Sequence, residues 1–395
     1  METTIKEKPK KKTWKKVLAV IGIIILALIV AKVIAFNWHS NPKNIKTFES
    51  DNSYIMDMGE TQISAHRSGG GIMPEETLMA FKNCAENPAF KIDVFEFDLH
   101  ITKDDVLVLL HDDTLDRTSN SAEIFGKEDA RPEEYTYEEL RTLNMGAKFT
   151  DENGNMPYAD IDKDNVPDDI KILRIDDVLD YLTSVGDYDY IIEIKNSGDL
   201  GMKGVDILYN ILVEKNLLNK VVFGSFHEEV SHYVDEHHPD LLRSATIKEV
   251  LTFWLAALRH DKNFDPSYSV LQIPYSMPFK LAANLGTAQV INYAHEKGIA
   301  VQYWTINSEK DMEYLISVGA DCIMTDYPDK LYEVDQAINP PRLNDNAAFN
   351  REFCSLVMSN SKNCDPQRLE IINAVESYRP LAYGGAFRNN TGGRV

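Results

Sequence analysis

Glu96 and Asp98 stand two residues apart in the apolar run IDVFEFDLHI, and His111 follows in the next one, VLVLLHDD. Alternate side chains of a strand point to one face, so a strand here sets both carboxylates side by side. Two like charges that close repel unless a cation lies between them or one keeps its proton. A short polar turn at 102–105 then returns the chain through 106–110 and brings an imidazole back to the carboxylates. A candidate metal pair and a group that titrates near neutrality, joined in one hairpin, outline a catalytic arrangement. An exposed strand end with ordinary surface charges reads the same over this stretch alone, so the rest of the chain must decide.

Strand-like runs recur at 62–66, 92–99, 106–111, 190–195, 221–226, 242–247, 270–273, 299–305 and 322–325. Helical patterns fall between them, at 75–86, 175–184, 205–216, 228–236, 248–260, 288–297 and 309–318. This alternation is that of the α/β class. The run 106–111 is the surplus strand, because the short turn before it makes it an antiparallel return. The others predict a TIM (β/α)8 barrel, preceded by one N-terminal transmembrane helix and carrying an inserted excursion after strand 2. His66, Glu96, Asp98, Glu193, Lys195, Ser225 and Trp304 all fall at the carboxyl ends of their strands. A barrel gathers those ends on one face, where active sites are built.

The excursion, 112–170, is acidic and rich in turn residues, as lids and inserted subdomains are. Within it, 151–169 spaces oxygen ligands at alternate positions as calcium loops do, without the glycine an EF-hand needs at its sixth position. A solvated acidic loop is the stronger expectation there, a second calcium site the weaker. Four cysteines do not make a disulfide scaffold. Cys84 and Cys322 read as small buried hydrophobes, and Cys354 and Cys364 flank a polar loop where they could pair.

The formal net charge of the 395 residues is −21 and is unevenly spread. Residues 1–16 hold seven lysines and two glutamates, about +5, which leaves about −26 on the remainder. Phosphate backbones are bound by basic surfaces, so this body is not one for nucleic acid, nor one to lie flat on anionic lipid. Residues 17–36 read VLAVIGIIILALIVAKVIAF, with Lys32 as the single charge. About 20 such residues span a hydrocarbon core, and Lys32 near the distal end can reach the headgroups. The lysine block ahead favours a cytoplasmic amino terminus. A cleaved signal peptide competes, but no clear small-x-small site follows and the run exceeds a usual signal core. The expectation is a single-pass cell-membrane protein. Residues 1–16 are cytoplasmic, 17–36 cross the membrane, and 37–59 form a polar spacer that lifts the domain off the bilayer. Residues 60–330 form the barrel outside the cytoplasm, and 331–395 a tail with no readable role.

Six stretches then fall in order: AHRSGGGIMPEETLMAF, EFDLHITKDDVLVLLHDDTLDRT, IEIK, GSF, YWTIN and TDYP. Together they resemble the glycerophosphodiester phosphodiesterase family over roughly residues 60–330. The resemblance implies a TIM barrel that cleaves glycerophosphodiesters to glycerol 3-phosphate and an alcohol with a divalent metal. It implies Glu96, Asp98 and Glu193 as metal ligands, and carboxylate oxygens suit Mg²⁺ or Ca²⁺ alike. It places Lys195 on the phosphate, the bland alternative being a Glu193–Lys195 ion pair. His66 and His111 become the general acid–base pair and Arg67 the phosphate clamp. Glu75 lines the same site, unless it is only an acid in a helix's first turn. Trp304 becomes an aromatic wall for the glycerol or its substituent, unless it is a core tryptophan. In the implied mechanism one histidine takes the proton of the glycerol 2-hydroxyl, which attacks phosphorus while the other protonates the leaving alcohol; water then opens the cyclic phosphate.

Two departures stand out. The usual His-Arg-Gly is His-Arg-Ser through Ser68, and the usual Pro-Glu-Asn-Thr is Pro-Glu-Glu-Thr through Glu76. Neither removes a catalytic group. The implied substrates are deacylated phospholipids, lysophospholipids or polyglycerophosphate polymers of an envelope. Two alternatives are a lysophospholipid phosphodiesterase of phospholipase C or D character on the same barrel, and a catalytically weak phosphodiester-binding module.

Overall fold

The structure is a computed structural model that describes residues 13–37, 45–57, 60–275 and 283–339. Cys354 and Cys364 lie outside the described residues, as does the tail from 340 onward.

The sheet is built from β1 (Gln62–Ala65), β2 (Val94–Ile101), β3 (Leu107–Leu109), β4 (Asp189–Ile194), β5 (Val221–Gly224), β6 (Val270–Pro274), β7 (Ala300–Trp304) and β8 (Cys322–Thr325). Its order is β5-β4-β2-β1-β8-β7-β6, with every neighbour in that path parallel. β3 pairs antiparallel with β2, through Leu99–Leu109 and Ile101–Leu107, as the short turn requires. The two ends of the sheet approach each other across residues 242–245. There Phe223 bridges to Arg243 and Ser244 to Val270, which nearly closes a barrel.

The strand expected at 242–247 is reduced to those bridges for a local reason. Thr246 and Glu249 form a capping box, each side chain accepting the other's amide, and that starts a helix at Ile247. Arg243 is 2 % exposed and is held by Asp235, Glu249 and Ser267, which fixes the short stave from outside the sheet ladder.

The helices are α1 (Thr13–Phe36), α2 (Leu78–Glu86), α3 (Ser121–Phe125), α4 (Tyr137–Leu140), α5 (Ile175–Val185), α6 (Gly198–Glu214), α7 (Glu228–His237), α8 (Ile247–Arg259), α9 (Ala288–Glu296), α10 (Glu309–Ser317) and α11 (Pro328–Ile338). α11 crosses the boundary expected between barrel and tail: it packs on β1 and β8 and buries Leu331 completely. α1 is apolar enough and long enough to cross a membrane over Lys16–Phe36.

All eight residues of β2 are buried, because both faces of a parallel sheet are covered. Phe95, Phe97 and Leu99 pack outward against the helices in the main core. Val94 faces inward with Ile191, Val222, Val270, Ala300, Cys322 and Met324, and Tyr54 plugs that inner cluster. Glu96, Asp98 and His100 share Val94's face and therefore stand above the apolar plug. The segment 45–57 is no free spacer: Asn52 Nδ2 donates to Ser269 O at 2.8 Å and Gly298 O at 2.9 Å, and Met56 N donates to Asp321 Oδ1 at 2.8 Å. Those acceptors sit at the starts of strands, so this segment straps the end of the barrel opposite the site residues.

Between β3 and α5 the chain packs a small core of its own, with Leu110, Leu115, Leu140, Leu143 and Ile172. In the acidic loop, Asp151 Oδ1 accepts from the amides of Asn153 and Asn155 at 2.9 and 2.8 Å. Its charge is thus spent on a local turn, in line with a solvated loop.

Candidate active site

Register sets the carboxylates first. Asp98 pairs directly with Glu193 across the β2–β4 ladder, and Glu96 precedes Asp98 on the same face. Lys195 Nζ stands among them, 3.0 Å from Glu193 Oε1 and 3.5 Å from Asp98 Oδ1. Burial, then the charge of Asp98, pushes Glu193 up to about 8 despite the lysine. Glu96 is likewise raised by burial and by Asp98. Burial alone would lower the Lys195 ammonium, but Asp98 and Glu193 outweigh it and hold the proton on. Phe226 caps this cation, with its ring 5.4 Å from Nζ and 5.8 Å from the Trp304 ring.

Each of the two histidines has Nδ1 held by a carboxylate. His66 Nδ1 lies 2.6 Å from Asp326 Oδ1, while Nε2 faces Glu96 Oε2 at 3.9 Å and Thr305 Oγ1 at 3.4 Å. Burial would lower this imidazole, but Glu96 and Asp326 outweigh it and raise its affinity for a proton. Asn307 Nδ2 donates to the other Asp326 oxygen at 2.6 Å, which fixes the carboxylate. His111 Nδ1 lies 2.6 Å from Asp112 Oδ1. Arg117 donates to Asp112 Oδ2 at 2.5 Å and, through two nitrogens, to Glu75 at 2.6 and 2.8 Å. Glu75 Oε1 in turn lies 3.5 Å from Arg67 Nη1. The nine sequence-predicted residues thus form one connected set, with Trp304 joined through Phe226.

The 66–77 loop has left-handed backbone at its two departures from the resemblance and at Arg67 beside the first. Arg67, Ser68 and Glu76 have φ of 48°, 62° and 55°, a region that favours glycine or asparagine. The fold at Arg67 turns its amide onto Glu96 Oε2 at 2.7 Å. Ser68 Oγ is buried with no hydrogen-bond partner. Glu76, 4 % exposed, accepts the Asp98 amide at 2.6 Å, and burial with Asp98 and Glu75 nearby holds its carboxyl well above the usual range. Glu75 is not in a helix's first turn: α2 starts only at Leu78, where Thr77 caps it by accepting from Ala80 N. Ser68→Gly and Glu76→Asn are each expected to stabilise the fold by about 1 kcal/mol, by relieving left-handed backbone. Asparagine keeps an acceptor for the Asp98 amide. Thermal unfolding checks both, and a lower Tm for each variant would contradict this strain.

The sequence pattern of the Glycerophosphoryl diester phosphodiesterase family matches residues 66–330. The chain belongs to that family. A glycerophosphodiester phosphodiesterase of Caldanaerobacter subterraneus subsp. tengcongensis is 27 % identical over 275 residues, which cover 69 % of this chain and 96 % of that protein. A human lysophospholipase D is 24 % identical over 294 residues, covering 68 % and 83 %. Two solved structures share the fold. The glycerophosphoryl diester phosphodiesterase domain of a Mycobacterium tuberculosis protein has a TM-score of 0.55 at 16 % identity, covering 71 % of this chain and all of that one. A phosphodiesterase of Oleispira antarctica, solved with the product sn-glycerol-3-phosphate, has a TM-score of 0.52 at 20 % identity, covering 69 % and 96 %. The chain is therefore a hydrolase of the glycerophosphodiester phosphodiesterase type.

Around the site of this phosphodiesterase stand residues that sequence reasoning passed over. Asp326 and Asn307 lie within the TDYP and YWTIN stretches, and Arg117 within LDRT, yet a sequence gives no sign of whom they touch. His100, on the same face of β2, is fully buried with both ring nitrogens unpartnered, and burial lowers it to about 4. Among the described residues no group of three or more His, Cys, Asp or Glu side chains forms a metal-holding cluster. Lys195 stands between Asp98 and Glu193 instead. The donor set nevertheless fits a hard cation: it is all oxygen, and Asp98 Oδ2 is buried without a hydrogen-bond partner.

Asp326→Asn is expected to slow kcat by up to about 10²-fold, part of the acid–base contribution of the ring that Asp326 orients. Without that charge His66 loses its proton more readily, so the alkaline limb of the pH–rate profile should move to lower pH. An unmoved limb would show that His66 is not the group titrating there.

Proposed function

We propose that this enzyme hydrolyses glycerophosphodiesters to glycerol 3-phosphate and an alcohol, outside the cytoplasm, by histidine acid–base catalysis with a divalent cation. The observation that supports this reading is Glu96, Asp98 and Glu193 sharing one face of the sheet, with His66 Nε2 3.9 Å from Glu96 Oε2 and the Arg67 amide on that same carboxylate. Glu96, Asp98 and Glu193 would hold Mg²⁺ or Ca²⁺, which supplies charge neutralisation at the phosphoryl oxygens and acidifies the attacking hydroxyl.

Arg67 and Lys195 bind the phosphate oxygens. His111, with Nδ1 engaged by Asp112, takes the proton of the glycerol 2-hydroxyl through its other nitrogen. His66, whose proton Glu96 and Asp326 retain, gives one to the leaving alcohol. Water opens the cyclic phosphate with the roles reversed. Trp304 and Phe226 form an apolar wall beside Lys195. The scheme requires the substrate's own hydroxyl, so an analogue lacking the glycerol 2-hydroxyl should not turn over. Its hydrolysis at a rate near that of glycerophosphocholine would overturn the cyclic route.

The same reading takes the sheet as a full (β/α)8 barrel in which 242–245 supplies the remaining stave and 112–170 is an insertion. Residues 1–16 stay in the cytoplasm, 17–36 anchor the chain, 37–59 lead to the barrel at 60–330, and 331–395 follow it. The lysine-rich start ahead of the apolar α1 supports that orientation.

A further inference from the structure

The point where α1 leaves the barrel bears on which way the active site looks. Phe36, its last residue, is 7 % exposed and joins the main core. Asn37 beyond it is tied to Asn284: the Asn284 amide donates to Asn37 Oδ1 at 2.6 Å, and Asn284 Nδ2 donates to Asn37 O at 3.1 Å. Asn284 lies between the end of β6 and the start of α9. In a parallel barrel that connection is on the same end as Asp98, Glu193 and Trp304. α1 itself departs from the body, with Ile23, Leu26 and Leu28 being 67, 61 and 65 % exposed.

The same end carries apolar surface. Ile247 and Leu251 lie at i and i+4 in the first turns of α8, 68 % and 57 % exposed. α8 packs beside α9, the helix that follows the connection carrying Asn284. Phe226, after β5, is 48 % exposed next to the candidate site. By contrast Val185, Val213 and Ile338 are single exposures at the far ends of their helices, at the opposite end of the barrel. That opposite end is the one strapped by 45–57. Scattered apolar side chains need no explanation, whereas a paired set at the end of the barrel where a bilayer-length helix is tied does.

We propose that the catalytic end of the barrel is applied to the leaflet from which α1 emerges, with Ile247 and Leu251 seated at the headgroup boundary. The site then draws its phosphodiester from a lipid surface. The inference rests on α1 being a retained anchor. The acidic body supplies no attraction to anionic lipid, so the contact is apolar and neutral lipid suffices.

The test uses the full chain in phosphatidylcholine vesicles, with a fluorescent amino acid incorporated at position 251 or, as control, at 213. A quencher carried at the acyl boundary is expected to quench the probe at 251 and not at 213. In a second arm, Ile247→Glu/Leu251→Glu is expected to hydrolyse soluble glycerophosphocholine within about twofold of wild type. Vesicle-borne lysophosphatidylcholine should be turned over about tenfold more slowly or worse. An unquenched probe at 251, or wild-type turnover of the vesicle-borne substrate by the double variant, overturns the docking. Loss of α1 from the membrane-derived protein, read by its mass, also overturns it, while glycerophosphocholine hydrolysis by that sample leaves the enzyme reading intact. A quenched probe at 251 in a protein that hydrolyses neither substrate would support the docking and defeat the enzyme reading.

Discussion

Alanine at His66 is expected to lower kcat on glycerophosphocholine by about 10²- to 10⁴-fold, and alanine at His111 by a similar factor. The reason is that each ring has one nitrogen committed to a carboxylate, Asp326 or Asp112, which leaves the other to carry a proton. His66 is 8 % exposed and braced by Asp326, Glu96 and Thr305, so water entering an alanine variant cannot replace an oriented donor. Neither histidine is assigned to the cation, so calorimetric titration with Mg²⁺ or Ca²⁺ should give affinities within a few-fold of wild type. The double variant should lose little more than either single one, because both groups serve one reaction cycle. Retained turnover in both single variants would sink the acid–base assignment.

Cation binding is expected to strengthen steeply with pH. In the cation-free protein Glu193 keeps its proton up to about 8, because it is buried and faces Asp98. A cation must displace that proton, so affinity should fall about tenfold for each unit of pH below about 8. Between pH 6 and pH 8 the expected gain is therefore about 100-fold. The sign for stability is opposite in the cation-free protein. Glu193 ionises near its ordinary 4.5 in the unfolded chain but near 8 when folded, so the fold loses stability as pH rises through that window. Adding the cation should recover what is lost. Calorimetry and thermal unfolding at pH 6, 7 and 8 check both statements. An affinity independent of pH would remove Glu193 from the ligand set, and Asp98→Asn, which removes the carboxylate with the unpartnered oxygen, should abolish binding.

The architecture was legible where local pattern and burial agree. β2 announced itself through an apolar run with carboxylates at alternate positions, and the short turn at 102–105 correctly made β3 antiparallel. The stave at 242–245 was overcalled as a strand because its apolar residues continue into the capping box that starts α8. α11 straddles position 330, where the sequence reading ends the barrel and begins the tail, because its helix opens with the proline of TDYP. At the site, the residues that carry charge were legible by type and strand position, but their partners were not. His66 and Asp326 are 260 residues apart and meet only because β1 and β8 are neighbours in the sheet. Ser68 and Glu76 were visible as departures, while the left-handed backbone that makes them costly exists only in three dimensions. The segment 45–57 lacked periodicity because it binds the barrel through asparagine and backbone contacts and a few scattered apolar side chains, Ile45, Tyr54 and Ile55, which set no regular rhythm.

The most direct measurement is release of glycerol 3-phosphate from glycerophosphocholine by the purified chain, with added Mg²⁺ or Ca²⁺, with EDTA, and with His111→Ala. The expected result is product with at least one cation, none with EDTA, recovery on adding the cation back, and at most about one hundredth of the wild-type rate in the variant. Undiminished release in EDTA, or phosphocholine and glycerol as the products, would contradict a cation-assisted reaction that leaves phosphate on glycerol.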